Sequence, residues 1–117
     1  MLTPDTTPRV FIVLGATDMR KAINGLSIMV ADHLELDVFA GSFFVFCNRG
    51  RSIIKILYWN NNGFCLWQKR LEKHRFVWPQ SREEVLEMDY RKLRWLLDGL
   101  DPDQVSGHPP LAYKSII

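Results

Sequence analysis

The sequence predicts a single α+β domain with a mostly antiparallel sheet, one helix after the first strand and one C-terminal helix. Short apolar runs separated by turn residues recur through the middle of the chain, as in consecutive strands. Two other segments repeat their apolar residues every three or four positions, as amphipathic helices do. The 117 residues, 47% of them apolar and 24% charged, match the size and composition of one globular domain, residues 1–117.

The chain begins with a predicted arm, a strand and a helix. Residues 1–9 contain two prolines and three threonines and are expected to form a loose arm. Residues 10–14 are apolar and β-branched, which predicts a buried strand. Apolar residues then follow helical spacing over residues 19–34, and Thr17 or Asp18 is suited to cap this helix.

Three sequential strands are predicted next, and the last two form a hairpin. The Asn-Asn-Asn-Gly run at residues 60–63 is the strongest turn signal, because Asn and Gly tolerate the positive φ of tight hairpin turns. The predicted elements are a loop at 36–42, strands at Phe43–Cys47, 52–59 and 64–71, and a turn at 48–51.

The C-terminal third predicts one main helix. Residues 76–78 are a candidate short strand ended by Pro79, and residues 81–84 have the form of a capping box. The helix is expected to begin at Asp89, with a leucine stripe on one face and Gly99 as its C-terminal cap. Residues 101–117 contain three prolines and are expected to be irregular.

Several functional classes lack their sequence signals. Cys47 and Cys65 lie in predicted strands without zinc-ligand spacing, so we expect two reduced, buried thiols. No nucleotide-binding glycine loop or hydrolase nucleophile motif is present. No apolar run approaches the ~20 residues of a membrane helix. We therefore expect a cytoplasmic protein without catalytic residues, cofactor, bound metal or membrane contact.

Positive charge is concentrated in the middle of the chain. Residues 42–80 carry seven Lys and Arg against one acid, Glu72, whereas each flanking segment carries two more acids than bases. The same middle segment holds nine of the fourteen aromatic residues. Basic groups contact phosphates and aromatic rings stack on unpaired bases, so this hairpin region is a candidate DNA-binding surface. Core packing of the rings, and a protein-binding face, are the alternatives.

The start of the first helix adds a second cationic group. Arg20 and Lys21 occupy its first turn, where the helix dipole disfavours cations, so an anion is expected nearby. Neutralisation of one of them by Asp18 is the alternative. The candidate DNA-binding residues are Arg20, Lys21, Arg49, Arg51, Lys55, Trp59, Lys69, Arg70 and Arg75.

Several of these residues fall in motifs that resemble a known family. The motifs, in order, are Thr17-Asp18-Met19-Arg20-Lys21, Gly25-Leu26, Phe44-Val45-Phe46, Lys55-Ile56-Leu57-Tyr58-Trp59, Gly63-Phe64, Lys69-Arg70-Leu71-Glu72 and Phe76-Val77-Trp78-Pro79. Over residues 10–100 the chain resembles the TnpB (Orf-two-like) accessory proteins of IS-sixty-six-type bacterial insertion sequences. Members of that family tend to have Asp where this chain has Asn60, and Gly near His74.

The resemblance implies a mobile-element protein that works beside a transposase and a second small accessory protein. Together with the charge pattern, it predicts a non-catalytic accessory protein that binds DNA at the ends of the element through a basic aromatic hairpin. An adaptor that contacts the transposase with little direct DNA binding is the alternative, and a metal-dependent nuclease is the least favoured one.

Overall fold

One five-stranded sheet organises the computed structural model, which describes residues 7–105. The strands are β1 (Val10–Ala16), β2 (Phe43–Cys47), β3 (Ile53–Asn60), β4 (Gly63–Arg70) and β5 (Val85–Met88). Their order across the sheet is β4-β3-β2-β1-β5. β1 and β2 are parallel, and all other neighbouring strands are antiparallel. The predicted α+β class with a mostly antiparallel sheet is confirmed.

The first helix provides the crossover that two parallel strands require. It consists of α1 (Ile23–Ile28), which continues as a π-helical turn at Met29–His33. It begins later than the predicted residues 19–34, because the Asp18 carboxylate accepts the Arg20 backbone N–H at 2.9 Å in a local turn. Ala22 occupies the N-cap without a side-chain cap. Two further helices follow β5, namely α2 (Tyr90–Leu97) and α3 (Pro102–Val105).

Each face of the sheet carries its own core. On one face, Leu26 and Val30 of the first helix pack against buried residues such as Phe44. On the other face, Leu93 and Leu96 of α2 pack against residues such as Val45. Strands buried on both faces are continuously apolar, which accounts for the Phe-Phe-Val-Phe-Cys sequence of β2.

The segment between β4 and α2 differs from its prediction. Residues 76–78 do not form a strand. Phe76 and Trp78 instead fill the core on the α2 face, where the Trp78 indole N–H donates to the Val13 carbonyl at 3.2 Å. Residues 81–84 precede β5, a strand that the sequence did not predict, and Ser81 Oγ accepts the Glu83 N–H at 3.1 Å.

The boundaries of α2 agree with the sequence. The Asp89 carboxylate caps the helix by accepting the Lys92 N–H at 2.8 Å, and Gly99 follows it with a φ of +83°. Of the predicted arm at residues 1–9, residues 1–6 lie outside the described part of the chain. The tail predicted to be irregular over residues 101–117 contains the short helix α3, and its residues 106–117 lie outside the described part. No helix within residues 7–105 is long and apolar enough to cross a membrane.

Candidate nucleic-acid interface

The basic side chains of the middle segment gather at one end of the sheet. At this end β1, β2 and β4 finish and β3 begins. The Phe76 N–H donates to the Arg51 carbonyl, and the Leu71 N–H donates to the Ser52 carbonyl, both at 2.8 Å. These bonds hold the loop after β4 beside the β2–β3 turn. We call this region the cationic end, comprising Arg20, Lys21, Arg49, Arg51, Arg70 and Arg75.

Asn48 fixes the turn that presents two of the arginines. Its side-chain oxygen accepts the backbone N–H groups of Ser52 at 2.9 Å and Ile53 at 3.0 Å. Arg51 closes the turn by donating its N–H to the Asn48 carbonyl at 3.1 Å. Arg51 has a φ of +59°, in the left-handed region where glycine or asparagine is favoured. The turn therefore holds an arginine at a position whose backbone favours a different residue.

Arg20 and Lys21 precede the helix, whose N-cap is Ala22, so the prediction that they occupy its first turn is wrong. They reach the same end from the segment after β1. The Thr17 N–H donates to the carbonyl of Cys47, the last residue of β2, at 2.8 Å. The Arg20 guanidinium forms an ion pair with Asp18, with Nη2 and Oδ2 2.6 Å apart. Hydrogen bonds from Arg20 lower the pKa of the Asp18 carboxyl to about 2. The neutralisation that the sequence left as an alternative is thus present at Arg20.

Lys55 and Lys69 hold the fold together. Lys55 is only 8% exposed, and its ammonium donates to the carbonyls of Met19 at 2.8 Å and Lys21 at 3.0 Å. The Lys69 ammonium donates to the carbonyl of Leu97 at 2.8 Å, at the C-terminus of α2 where the helix dipole favours a cation. Neither ammonium is oriented toward a ligand in solution, so we leave both residues out of the cationic end.

The remaining cations differ in whether a carboxylate neutralises them. Arg70 forms an ion pair with Glu72 at 3.0 Å. Within residues 7–105, four members of the cationic end form no ion pair. These four are Lys21, Arg49, Arg51 and Arg75.

Trp59 lies at the opposite end of the same hairpin. It pairs with Phe64 across β3 and β4, next to the turn, and its ring contacts Phe64 at 5.0 Å and Phe39 at 5.1 Å between centroids. Phe39 is 59% exposed. At about 3.3 Å per strand residue, this aromatic cluster (Phe39, Trp59 and Phe64) lies roughly 25 Å from Arg51. The structure therefore does not bring Trp59 together with the arginines.

A groove of about 790 Å³ opens at the cationic end, beyond the carboxyl ends of the parallel strands β1 and β2. Arg49 and Arg51 line it on the side of the β2–β3 turn, and Glu83 and Glu84 line it on the side of β5. The two glutamates were not predicted as site residues, because residues 81–84 have the sequence form of a helix capping box. The strand–helix–strand order at the start of the chain was a usable signal, since a parallel pair presents its carboxyl ends together.

The groove presents charged side chains that can form ion pairs and hydrogen bonds with a ligand. Within residues 7–105 no group of three or more His, Cys, Asp or Glu side chains is placed to hold a metal ion. Cys47 also lines the groove, but burial raises the pKa of its thiol to about 11, which keeps it protonated at neutral pH. Cys47 and Cys65 are both free thiols, as predicted, but only Cys47 is buried and Cys65 is half-buried.

Comparisons of this chain with known proteins identify the family to which it belongs. Residues 8–107 match the family model of the IS66 Orf2 like protein. Two relatives come from Sinorhizobium fredii. The uncharacterized protein y4hO is 37% identical over 86% of this chain and 88% of its own length. The uncharacterized protein y4jC is 29% identical over 93% of both chains. No solved structure matches the chain. The chain belongs to the IS66 Orf2-like family.

Proposed function

We propose that this protein, as an accessory protein of an insertion sequence, binds DNA through its cationic end and assists a separate transposase without catalysing a reaction itself. Family membership supports the insertion-sequence role. It acts in the cytoplasm, where bacterial DNA lies, and its partners are the ends of the element, the transposase and a second small accessory protein.

One observation carries the DNA proposal, namely the four members of the cationic end that form no ion pair within residues 7–105. Lys21, Arg49 and Arg75 are exposed, and Arg51 is half-buried beside them. Guanidinium groups bind phosphate oxygens through paired N–H donors, so unpaired arginines suit a DNA backbone. The turn hydrogen bonds of Asn48 fix the backbone that carries Arg49 and Arg51, which lowers the entropy lost on binding.

The adaptor function is supported by a different observation, the aromatic cluster at the other end. Exposed aromatic residues are enriched at protein interfaces. Asp37, whose carboxylate accepts the Phe39 N–H at 3.0 Å, places negative charge beside this cluster, which disfavours a phosphate chain there. We therefore assign DNA contact to the cationic end and contact with the transposase to the aromatic cluster.

Salt dependence of binding to duplex DNA from the element ends tests the proposal. If the four unpaired cations each neutralise one phosphate, log K falls with log salt at a slope of about −3.6. Arg49→Gln and Arg75→Gln are each expected to reduce the slope by about 0.9. Arg91→Gln is the matched control, because this exposed arginine lies near the start of α2, at the other end of the sheet.

If the protein is an adaptor with little direct DNA binding, the same salt titration is expected to give a different result. A flat salt dependence, or equal slopes for the native chain and all three variants, contradicts DNA binding by the cationic end. Capture of purified transposase by the native chain but not by Phe39→Ala would then support the adaptor alone. Metal-dependent nicking of the DNA would contradict the proposal that the protein is not an enzyme.

A further inference from the structure

We propose that the groove at the cationic end holds one unpaired nucleotide of single-stranded DNA and reads the amino group of its base. Arg49 and Arg51 bind the phosphate, and Glu83 and Glu84 accept hydrogen bonds from the base. The inference rests on the proposed function and deepens it, since it adds an unpaired nucleotide held in the groove to the phosphate contacts of the cationic end.

Arg49 and Arg51 form one wall of the groove, which we call the arginine wall, and the backbone conformation of Arg51 is unfavourable for an arginine. Arg51 keeps a φ of +59° in a four-residue turn, although Gly50 lies one position earlier in the same turn. Non-glycine residues in the left-handed region cluster at binding sites, where the surrounding structure maintains them. Here the surrounding structure is the Asn48 side chain and the Phe76 N–H bond to the Arg51 carbonyl. These hydrogen bonds hold the backbone of Arg51 in place, and Arg51 lines the groove.

The opposite wall carries negative charge. The Leu14 N–H donates to the Glu84 carbonyl at 3.0 Å, which attaches the Glu83-Glu84 segment to the end of β1. Both glutamates are exposed, and within residues 7–105 neither forms an ion pair. A groove with cations on one side and carboxylates on the other suits a ligand that is anionic at one end and a hydrogen-bond donor at the other.

A nucleotide has this polarity when its base is unpaired. The phosphate is the anion, and the exocyclic amino group of cytosine is a donor that Glu accepts. In a duplex one hydrogen of each amino group is already bonded to the opposite base, and phosphates of the second strand would meet the glutamates. The groove volume of about 790 Å³ falls within the range of small-ligand sites. Trp78 and Val13 also line the groove, and the small part of each that is exposed is apolar and can contact a base.

A comparison of the affinities for cytosine and thymine oligonucleotides distinguishes recognition of the base from contact with phosphates alone. Thymine presents a carbonyl oxygen where cytosine presents its amino group, so thymine would face the glutamates with an acceptor. We expect the full chain to bind a labelled dC12 oligonucleotide about fivefold more tightly than dT12, measured by fluorescence anisotropy at one salt concentration. A duplex of mixed sequence is the reference for phosphate contact alone.

The Glu83→Gln/Glu84→Gln double variant tests the reading of the base. Its amides present a donor as well as an acceptor, so the dC12 to dT12 ratio should fall to about one while the affinity for dT12 rises. Glu72→Gln is the control, because it removes one acid from the same end outside the groove. Arg51→Gly should weaken binding of both oligonucleotides with no loss of Tm, since glycine suits the backbone at that position.

The experiments distinguish failure of this inference from failure of the proposed function. If dC12 and dT12 bind equally, or if the glutamate variant keeps the native ratio, the groove does not read a base. Duplex binding that still depends on Arg49 and Arg75 then leaves the proposed function standing. If neither the oligonucleotides nor the duplex bind at low salt, both the inference and the proposed function are overturned.

Discussion

The two ends of the sheet share strands β3 and β4 but expose opposite chemistry. At the cationic end, Arg49 and Arg51 project from a turn held by side-chain and backbone hydrogen bonds. At the other end, Trp59 and Phe64 meet the exposed ring of Phe39 beside the carboxylate of Asp37. Arg51 and Trp59, which lie eight residues apart in the sequence, are thus separated by the length of β3. We propose that each end contacts its own partner, DNA at the cationic end and the transposase at the aromatic cluster.

Removing the arginine wall is expected to have the largest effect on DNA binding. Hydrogen bonds to charged groups contribute about 1.5–3 kcal/mol each, so Arg49→Gln/Arg51→Gly should weaken duplex binding by roughly 100-fold at low salt. Trp59→Ala should change the same affinity less than twofold, because its ring lies at the other end. Gel-shift titrations of both variants measure the contrast. Equal losses from the two variants would break the distinction between the ends.

Lys55 should affect stability instead of DNA affinity. Lys55→Met leaves the carbonyls of Met19 and Lys21 without their buried donor, which should lower the free energy of unfolding by about 1–3 kcal/mol. Urea denaturation measures this loss, with Arg91→Gln as the neutral control. DNA affinity per folded molecule should stay within about twofold of the native value. A strong loss of affinity in folded Lys55→Met would return this lysine to the interface.

Asp18 restrains one cation, and its removal should strengthen binding. Asp18→Asn keeps an oxygen that can accept the Arg20 backbone N–H but removes the charge that pairs with the guanidinium. We expect a DNA affinity several-fold higher and a salt slope steeper by about 0.9. Isothermal titration at two salt concentrations measures both. An unchanged slope would show that Arg20 does not reach the DNA.

The pH dependence of the same pair has a definite sign. The pKa of the Asp18 carboxyl is lowered from 3.8 to about 2, so the native state is favoured above pH 3.8. This contribution is lost as the pH falls through about 2. Carboxyl chemical shifts followed by NMR should show the low midpoint, and Arg20→Gln should return it toward 3.8. A midpoint that ignores Arg20→Gln would contradict the ion pair.

The smallest expected effect concerns His74, in the loop that carries Arg75. His74 has a φ of +67°, and the family that the sequence resembles tends to have glycine near this position. His74→Gly should therefore raise the free energy of unfolding by up to about 1 kcal/mol. Lys73→Gly is the matched control, since Lys73 lies outside the left-handed region and gains nothing from glycine. Thermal denaturation compares the two.

Features that depend on neighbouring residues were predicted from the sequence, whereas features that depend on residues far apart in the chain were not. The hairpin turn at Asn61, the Asp89 cap and the Gly99 cap depend on neighbouring residues, and all three were predicted. β5 was not, because Val85–Met88 is a strand only through its pairing with β1. Likewise, nothing local to Lys55 indicates that its ammonium meets carbonyls more than thirty positions earlier in the chain.

The positions of DNA-induced chemical-shift changes test the central claim most directly. In ¹⁵N spectra of the full chain titrated with duplex DNA, we expect the largest amide shifts at residues 48–52 and 71–76, with little change at residues 59–64. Shifts concentrated at residues 59–64, with none around Arg49 and Arg51, would contradict the assignment of DNA binding to the cationic end.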